Sequence, residues 1–86
     1  MEIKKNVILR KVAGDYMLVP IGTAVFDYNG IFMLTESAHF LWQNIKNGAE
    51  EEDLVKSLLA EYDIDEATAR ADVNEFLDAL RKYGII

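Results

Sequence analysis

Cysteine is absent from this 86-residue chain, and proline and histidine occur once each, as Pro20 and His39. Without cysteine there is no disulfide framework and no thiolate to act as nucleophile or metal ligand. One histidine leaves too few donors for a zinc site, so neither a metal nor a cofactor is expected. No stretch approaches the roughly 18 consecutive apolar residues that read as a membrane span. Met1 to Arg10 lacks the apolar run and small-residue cleavage site of a secretory signal. A cytoplasmic protein without a membrane partner is therefore expected. The five glycines are scattered and form no phosphate-cradling loop.

About half of the residues are apolar (51%), a globular composition with room for one domain, residues 1–86, and one modest core. The net charge of −6 is unevenly placed. Residues 1–12 carry four bases against Glu2, whereas residues 36–86 carry twelve acids against five bases. Such an acidic body repels a phosphate backbone, so no nucleic-acid partner is expected. The basic N-terminal segment reads as a solvated strand edge.

Val7 to Val12 is rich in branched residues and reads as a strand, Gly14-Asp15 as a two-residue hairpin turn, and Tyr16 to Val19 as the return strand, weakened at its far end by Pro20. Asn29-Gly30 is a second hairpin signal, between Val25–Tyr28 and Ile31–Leu34. Ile21 to Ala24 fits either a loop or a bulged continuation. Three main strands are expected, with room for a fourth short one. From Thr35 the period changes. Ala38, Leu41, Trp42 and Ile45 share one face of a helix that Thr35 caps and Gly48 stops. Glu50 to Asp53 opens a second helix, where acids suit the positive end of the dipole; its inner face is Leu54, Val55, Leu58, Leu59 and Tyr62. Asp65 caps a third, lined by Ala69, Val73, Phe76, Leu77 and Leu80, with Gly84 just past its end. The whole is an α+β layout, a sheet followed by helices. The strands are apolar on both faces. Either the chain's own loops cover the second face, or it awaits a partner.

Chemistry is sparse. His39 reads as a surface residue, and Ser37 and His39 stand two apart on a helix and point away from each other. The carboxylates at residues 50–53 and 63–66 fall at helix starts, where capping explains them. No catalytic residue is expected, and an enzyme is disfavoured. Phe40 lies opposite the inner face of its helix; it is either an exposed contact residue or packs beneath the Ile21–Asn29 segment.

The stretch Asp72-Val73-x-x-Phe76-Leu77-x-x-Leu80-x-x-x-Gly84-Ile85 resembles the C-terminal signature of the PqqD-like family, the precursor-peptide recognition elements. Arg10, Gly14-x-Tyr16-x-Leu18-Val19 and Leu34-Thr35-Glu36-Ser37-Ala38-x-x-x-Trp42 match further pieces, so the resemblance runs from about Val7 to Ile86. Thr35 stands where the family usually has Asn, and residues 21–27 make a longer connection than is common. The resemblance implies a winged-helix-like fold of three antiparallel strands followed by three helices. It also implies a non-catalytic adaptor that takes the leader segment of a ribosomally made precursor peptide as an added strand and presents it to a modifying enzyme, often of the radical S-adenosylmethionine type. The peptide edge it implies is Ile31, Phe32, Met33 and Leu34, and the facing helix wall is Ala69, Arg70, Val73 and Phe76. Leu34, Trp42, Val73, Leu77 and Leu80 read as plain core residues rather than peptide contacts. Two alternatives remain at this level. A winged-helix DNA-binding module shares the fold, but its recognition helix would have to offer more than Arg70, Arg81 and Lys82 among Asp72, Glu75 and Asp78. A structural domain forming a homodimer through the outer sheet face is the other.

Overall fold

The computed structural model describes residues 1–22, 24–26 and 31–86. Strands β1 (Val7–Val12), β2 (Asp15–Pro20) and β3 (Phe32–Leu34) precede helices α1 (Glu36–Lys46), α2 (Glu51–Glu61) and α3 (Glu66–Lys82). The strands pair antiparallel in the order β1-β2-β3, which is the sheet-then-helices architecture that the change of period at Thr35 predicts.

The first hairpin departs from expectation by one residue. Val12 pairs with Asp15, so the turn is Ala13-Gly14 and Asp15 already belongs to β2. Both turn residues have positive φ, 52° and 86°, as the two central positions of a type I′ turn require. Gly-Asp is a recognised turn pair and Ala-Gly is not, which is why the sequence points one step late. After β2 the Ile21 N–H donates to the Asn6 carbonyl at 3.0 Å, and the Ala24 N–H donates back to the Ile21 carbonyl at 3.2 Å. Ile21, Gly22 and Ala24 to Phe26 lie outside any strand, so the described residues after Pro20 do not continue β2. The Asn29-Gly30 signal, with Asp27 and Tyr28 before it, lies outside the described residues. β3 begins at Phe32, leaving Ile31 as its flanking residue.

Each helix is delimited by local chemistry. The Thr35 side chain accepts from the Ala38 N–H at 3.1 Å, and Asp65 from the Thr68 N–H at 2.7 Å. Asp53 accepts from the Glu50 N–H at 2.9 Å, which ties down the entry to α2. Gly48 (φ 95°) and Gly84 (φ 76°) end α1 and α3 in Schellman motifs. In the second, the Gly84 N–H donates to the Arg81 carbonyl and the Ile85 N–H to the Leu80 carbonyl.

One core lies between the inner sheet face and the helices. Register and burial assign Val7, Leu9, Leu18, Phe32 and Leu34 to that face. Leu41, Trp42, Ile45, Leu54, Val55, Leu58, Ala69, Val73, Phe76, Leu77 and Leu80 meet them from the helices, and no polar side chain is buried among the described residues. Leu59, expected inside, is 37% exposed; it follows Leu58 directly, and the α2 stripe is narrower than five residues. The outer sheet face stays open: Ile8, Val12 and Met33 are all exposed. No described helix is long and apolar enough to cross a membrane.

Candidate functional site

β3 is an edge strand, with β2 on one side and no strand on the other among the described residues. Period-2 alternation splits it. Phe32 and Leu34 point into the core, while Ile31 and Met33 are 63% and 48% exposed. Beyond the edge lies a groove of about 340 Å³ between β3 and α3. Phe32 and Met33 form the strand side; Ala38 and Leu41 of α1 form an apolar floor, bordered by the hydroxyls of Thr35 and Ser37; Asp72, Glu75, Phe76 and Ala79 form the α3 wall. Aromatic packing holds the two phenylalanines that line the groove. Phe32 meets Phe76 edge-on at 6.3 Å and Tyr83 at 4.7 Å, and Tyr83 meets Phe26 at 5.3 Å.

The α3 wall differs from the one expected. Ala69 and Val73 are fully buried in the core, because they lie on the stripe that also carries Phe76, Leu77 and Leu80. Arg70 turns away from the groove: its guanidinium donates to both carboxylate oxygens of Glu52 on α2, at 2.6 and 3.3 Å, and lies 3.7 Å from Glu66. That pairing holds the Glu52 carboxyl below its ordinary range, through the Arg70 hydrogen bonds first and its charge second. Of the four expected wall residues only Phe76 reaches the groove, at the border between groove and core. Asp72, Glu75, Phe76 and Ala79 stand at i, i+3, i+4 and i+7, one helical face. That spacing is the signal in the sequence that would have located the wall.

Charge distinguishes this face. Glu66 pairs with Arg70, and Asp78 with Arg81 at 3.2 Å. Asp72 and Glu75 have no ion pair among the described residues, so the acids that face the groove are the ones left for a ligand. The groove thus offers an unpaired strand edge, an apolar floor and two open carboxylates.

His39 is half-buried rather than a plain surface residue. Its ring stacks on Tyr16 at 3.8 Å and 6°, and its Nε2 lies 3.1 Å from Gln43 Nε2. The Ser37 hydroxyl lies 3.3 Å from Thr35 Oγ1, so Ser37 and His39 do not pair. Phe40 packs edge-on against Tyr62 at 5.9 Å; the segment Ile21–Asn29 expected above it lies partly outside the described residues. Among the described residues no three His, Asp or Glu converge as a metal-ligand set.

Three antiparallel strands, three helices and an edge strand facing the last helix define a compact winged-helix-like module. The chain belongs to the family of coenzyme PQQ synthesis protein D (PqqD), whose model matches residues 7–86. A similar solved structure is that of TbiB1 in complex with the TbiA(beta) leader peptide, at 25% identity and a TM-score of 0.77, covering 99% of this chain and 93% of that one. No curated protein matches the sequence significantly.

Proposed function

We propose that this protein is a non-catalytic adaptor that binds the leader segment of a ribosomally made precursor peptide and presents it to a modifying enzyme. The observation that carries the reading is the open edge of β3 beside the groove walled by Asp72, Glu75, Phe76 and Ala79. An extended peptide adds to such an edge through backbone hydrogen bonds, and alternate side chains drop into the groove. Each hydrogen bond contributes only about 0.5–1.5 kcal/mol net, so the groove must supply much of the selectivity. Its apolar floor suits an aliphatic or aromatic side chain, and its carboxylates suit a neighbouring Lys or Arg. The similarity to TbiB1, whose solved structure is a complex with a leader peptide, and membership of the PqqD family support this reading. The proposed contact residues are Ile31 to Leu34, mainly through backbone and the exposed Met33, together with Phe76. Ala69, Arg70 and Val73 act behind the wall rather than on it.

Within this reading the protein works in the cytoplasm, and the partner enzyme is of the radical S-adenosylmethionine type. A homodimer, if formed, would use the outer sheet face with Ile8, Val12 and Met33.

The test is NMR titration with the leader of the cognate precursor. Amide shifts should concentrate on residues 31–38 and on the Asp72–Ala79 face. Met33→Pro deletes an edge-strand N–H and should impair docking. Because it also risks the sheet, Glu75→Lys serves as the second variant and should weaken binding with the fold intact. Saturable binding with shifts confined to β1 or α2 would sink the proposed site.

A further inference from the structure

The groove continues past Thr35. A second hollow of about 340 Å³ opens there, and Thr35, Ser37 and Asp72 line both, so the two form one trench. The chemistry of the second hollow is its own. Leu58, Tyr62 and Ile64, where α2 gives way to α3, supply an apolar pocket; Glu36 and Asp72 stand over it as carboxylates. The Tyr62 ring is held by its edge-on contact with Phe40. Its hydroxyl makes no hydrogen bond to a described residue. Burial, and after it the Glu36 and Glu61 charges, push its pKa above the ordinary tyrosine value, so it remains a donor. Glu36 likewise has no ion pair among the described residues. Two open carboxylates above an apolar pocket suit a cationic, not an anionic, occupant, and the hydroxyl is left to donate to a carbonyl.

We propose that this hollow is a second anchor subsite for the same bound peptide, taking an apolar side chain with a Lys or Arg beside it. This rests on the peptide-binding reading above. Continuity selects the occupant: an extended chain paired with Met33 advances about 3.3 Å per residue and passes Thr35 within a few residues. In antiparallel addition, the pattern of both existing strand pairs, the end that passes Thr35 is the N-terminal end of the peptide. Glu36 and Asp72 face the basic residue, and the Tyr62 hydroxyl donates to a peptide carbonyl.

A random dodecapeptide library displayed on phage, selected on the full chain, tests this without a known ligand. The expected consensus is an alternating apolar segment preceded, on its N-terminal side, by an apolar residue next to Lys or Arg. A synthetic consensus peptide should bind Tyr62→Ala about tenfold more weakly, as for one lost apolar anchor. Glu36→Lys should cost about two- to fivefold and erase the basic preference when selection is repeated on it. Glu36 is exposed, so this variant keeps the test available should Tyr62→Ala unfold; circular dichroism checks both. A consensus restricted to the alternating segment, one with acidic residues at the N-terminal position, or one unchanged in both variants overturns the subsite and leaves the strand-addition reading standing. No enrichment from the wild-type chain overturns both.

Discussion

Asp65 shows how much a single cap does in a chain this small. Its carboxylate accepts from the Thr68 N–H at 2.7 Å and sits at the positive end of α3. Hydrogen bonding with Thr68 lowers its pKa in the folded state. A carboxyl whose folded pKa is depressed contributes stability that is fully present above its unfolded pKa and is lost as pH falls through the folded one. Asp65→Ala should therefore lower the melting temperature at neutral pH, and the gap from wild type should narrow as the pH drops below the ordinary carboxylate range. Thermal unfolding followed by circular dichroism across that range reads both effects; a gap independent of pH would mean that the ionised cap contributes nothing. Arg70 carries the opposite lesson. An arginine in the first half of the helix nearest the groove reads as a ligand contact, yet its fork is taken by Glu52 of α2. The partner comes from another element, and one-dimensional spacing does not reveal it.

At the scale of elements, the glycine that ends α1 is a conformational device rather than a packing one. Gly48 has φ 95°, and a Cβ placed there would meet nothing within 4 Å. Gly48→Ala should therefore cost only the left-handed backbone penalty, roughly 1–2 kcal/mol, measurable by urea unfolding with an unchanged slope. A neutral outcome would mean that the end of α1 rearranges instead. Such stops were legible in the sequence, as were the Thr35 and Asp65 caps, because each depends on residues within one turn of itself. The third helix's inner stripe was equally legible. The groove wall was not, for a related reason: Ala69, Val73 and Phe76 obey the same period, and periodicity alone does not say which end of a stripe goes under α2 and which emerges beside β3. The Ala13-Gly14 turn was missed because its register is fixed by pairing of Val12 with Asp15, and Ala at positive φ is an exception that local propensity does not announce.

At the scale of the molecule, charge is separated along the chain. The four bases of residues 1–12 lie on and before β1, while residues 36–86 carry twelve acids against five bases. The groove opens between β3 and the acidic body, so a ligand meets the field of α3 before it meets the edge. That field should repel duplex DNA, and fluorescence anisotropy with a labelled duplex at moderate salt should show no binding. The same field should favour a cationic peptide, but only weakly, since Asp72 and Glu75 border solvent and each pair contributes below about 1 kcal/mol. Raising the ionic strength from about 0.05 to about 0.5 M shortens the screening length severalfold. Affinity for a leader peptide bearing two bases at these positions should then fall by roughly tenfold or less, and not vanish, because backbone pairing and the apolar floor are insensitive to salt. Titrations at the two salt concentrations with wild type and with Asp72→Asn/Glu75→Gln separate the contributions. The double variant should bind somewhat more weakly at low salt and lose most of the salt dependence. If it retained the full dependence, the cation preference would have to come from acids elsewhere on the helices, and the groove wall would be selecting by shape alone.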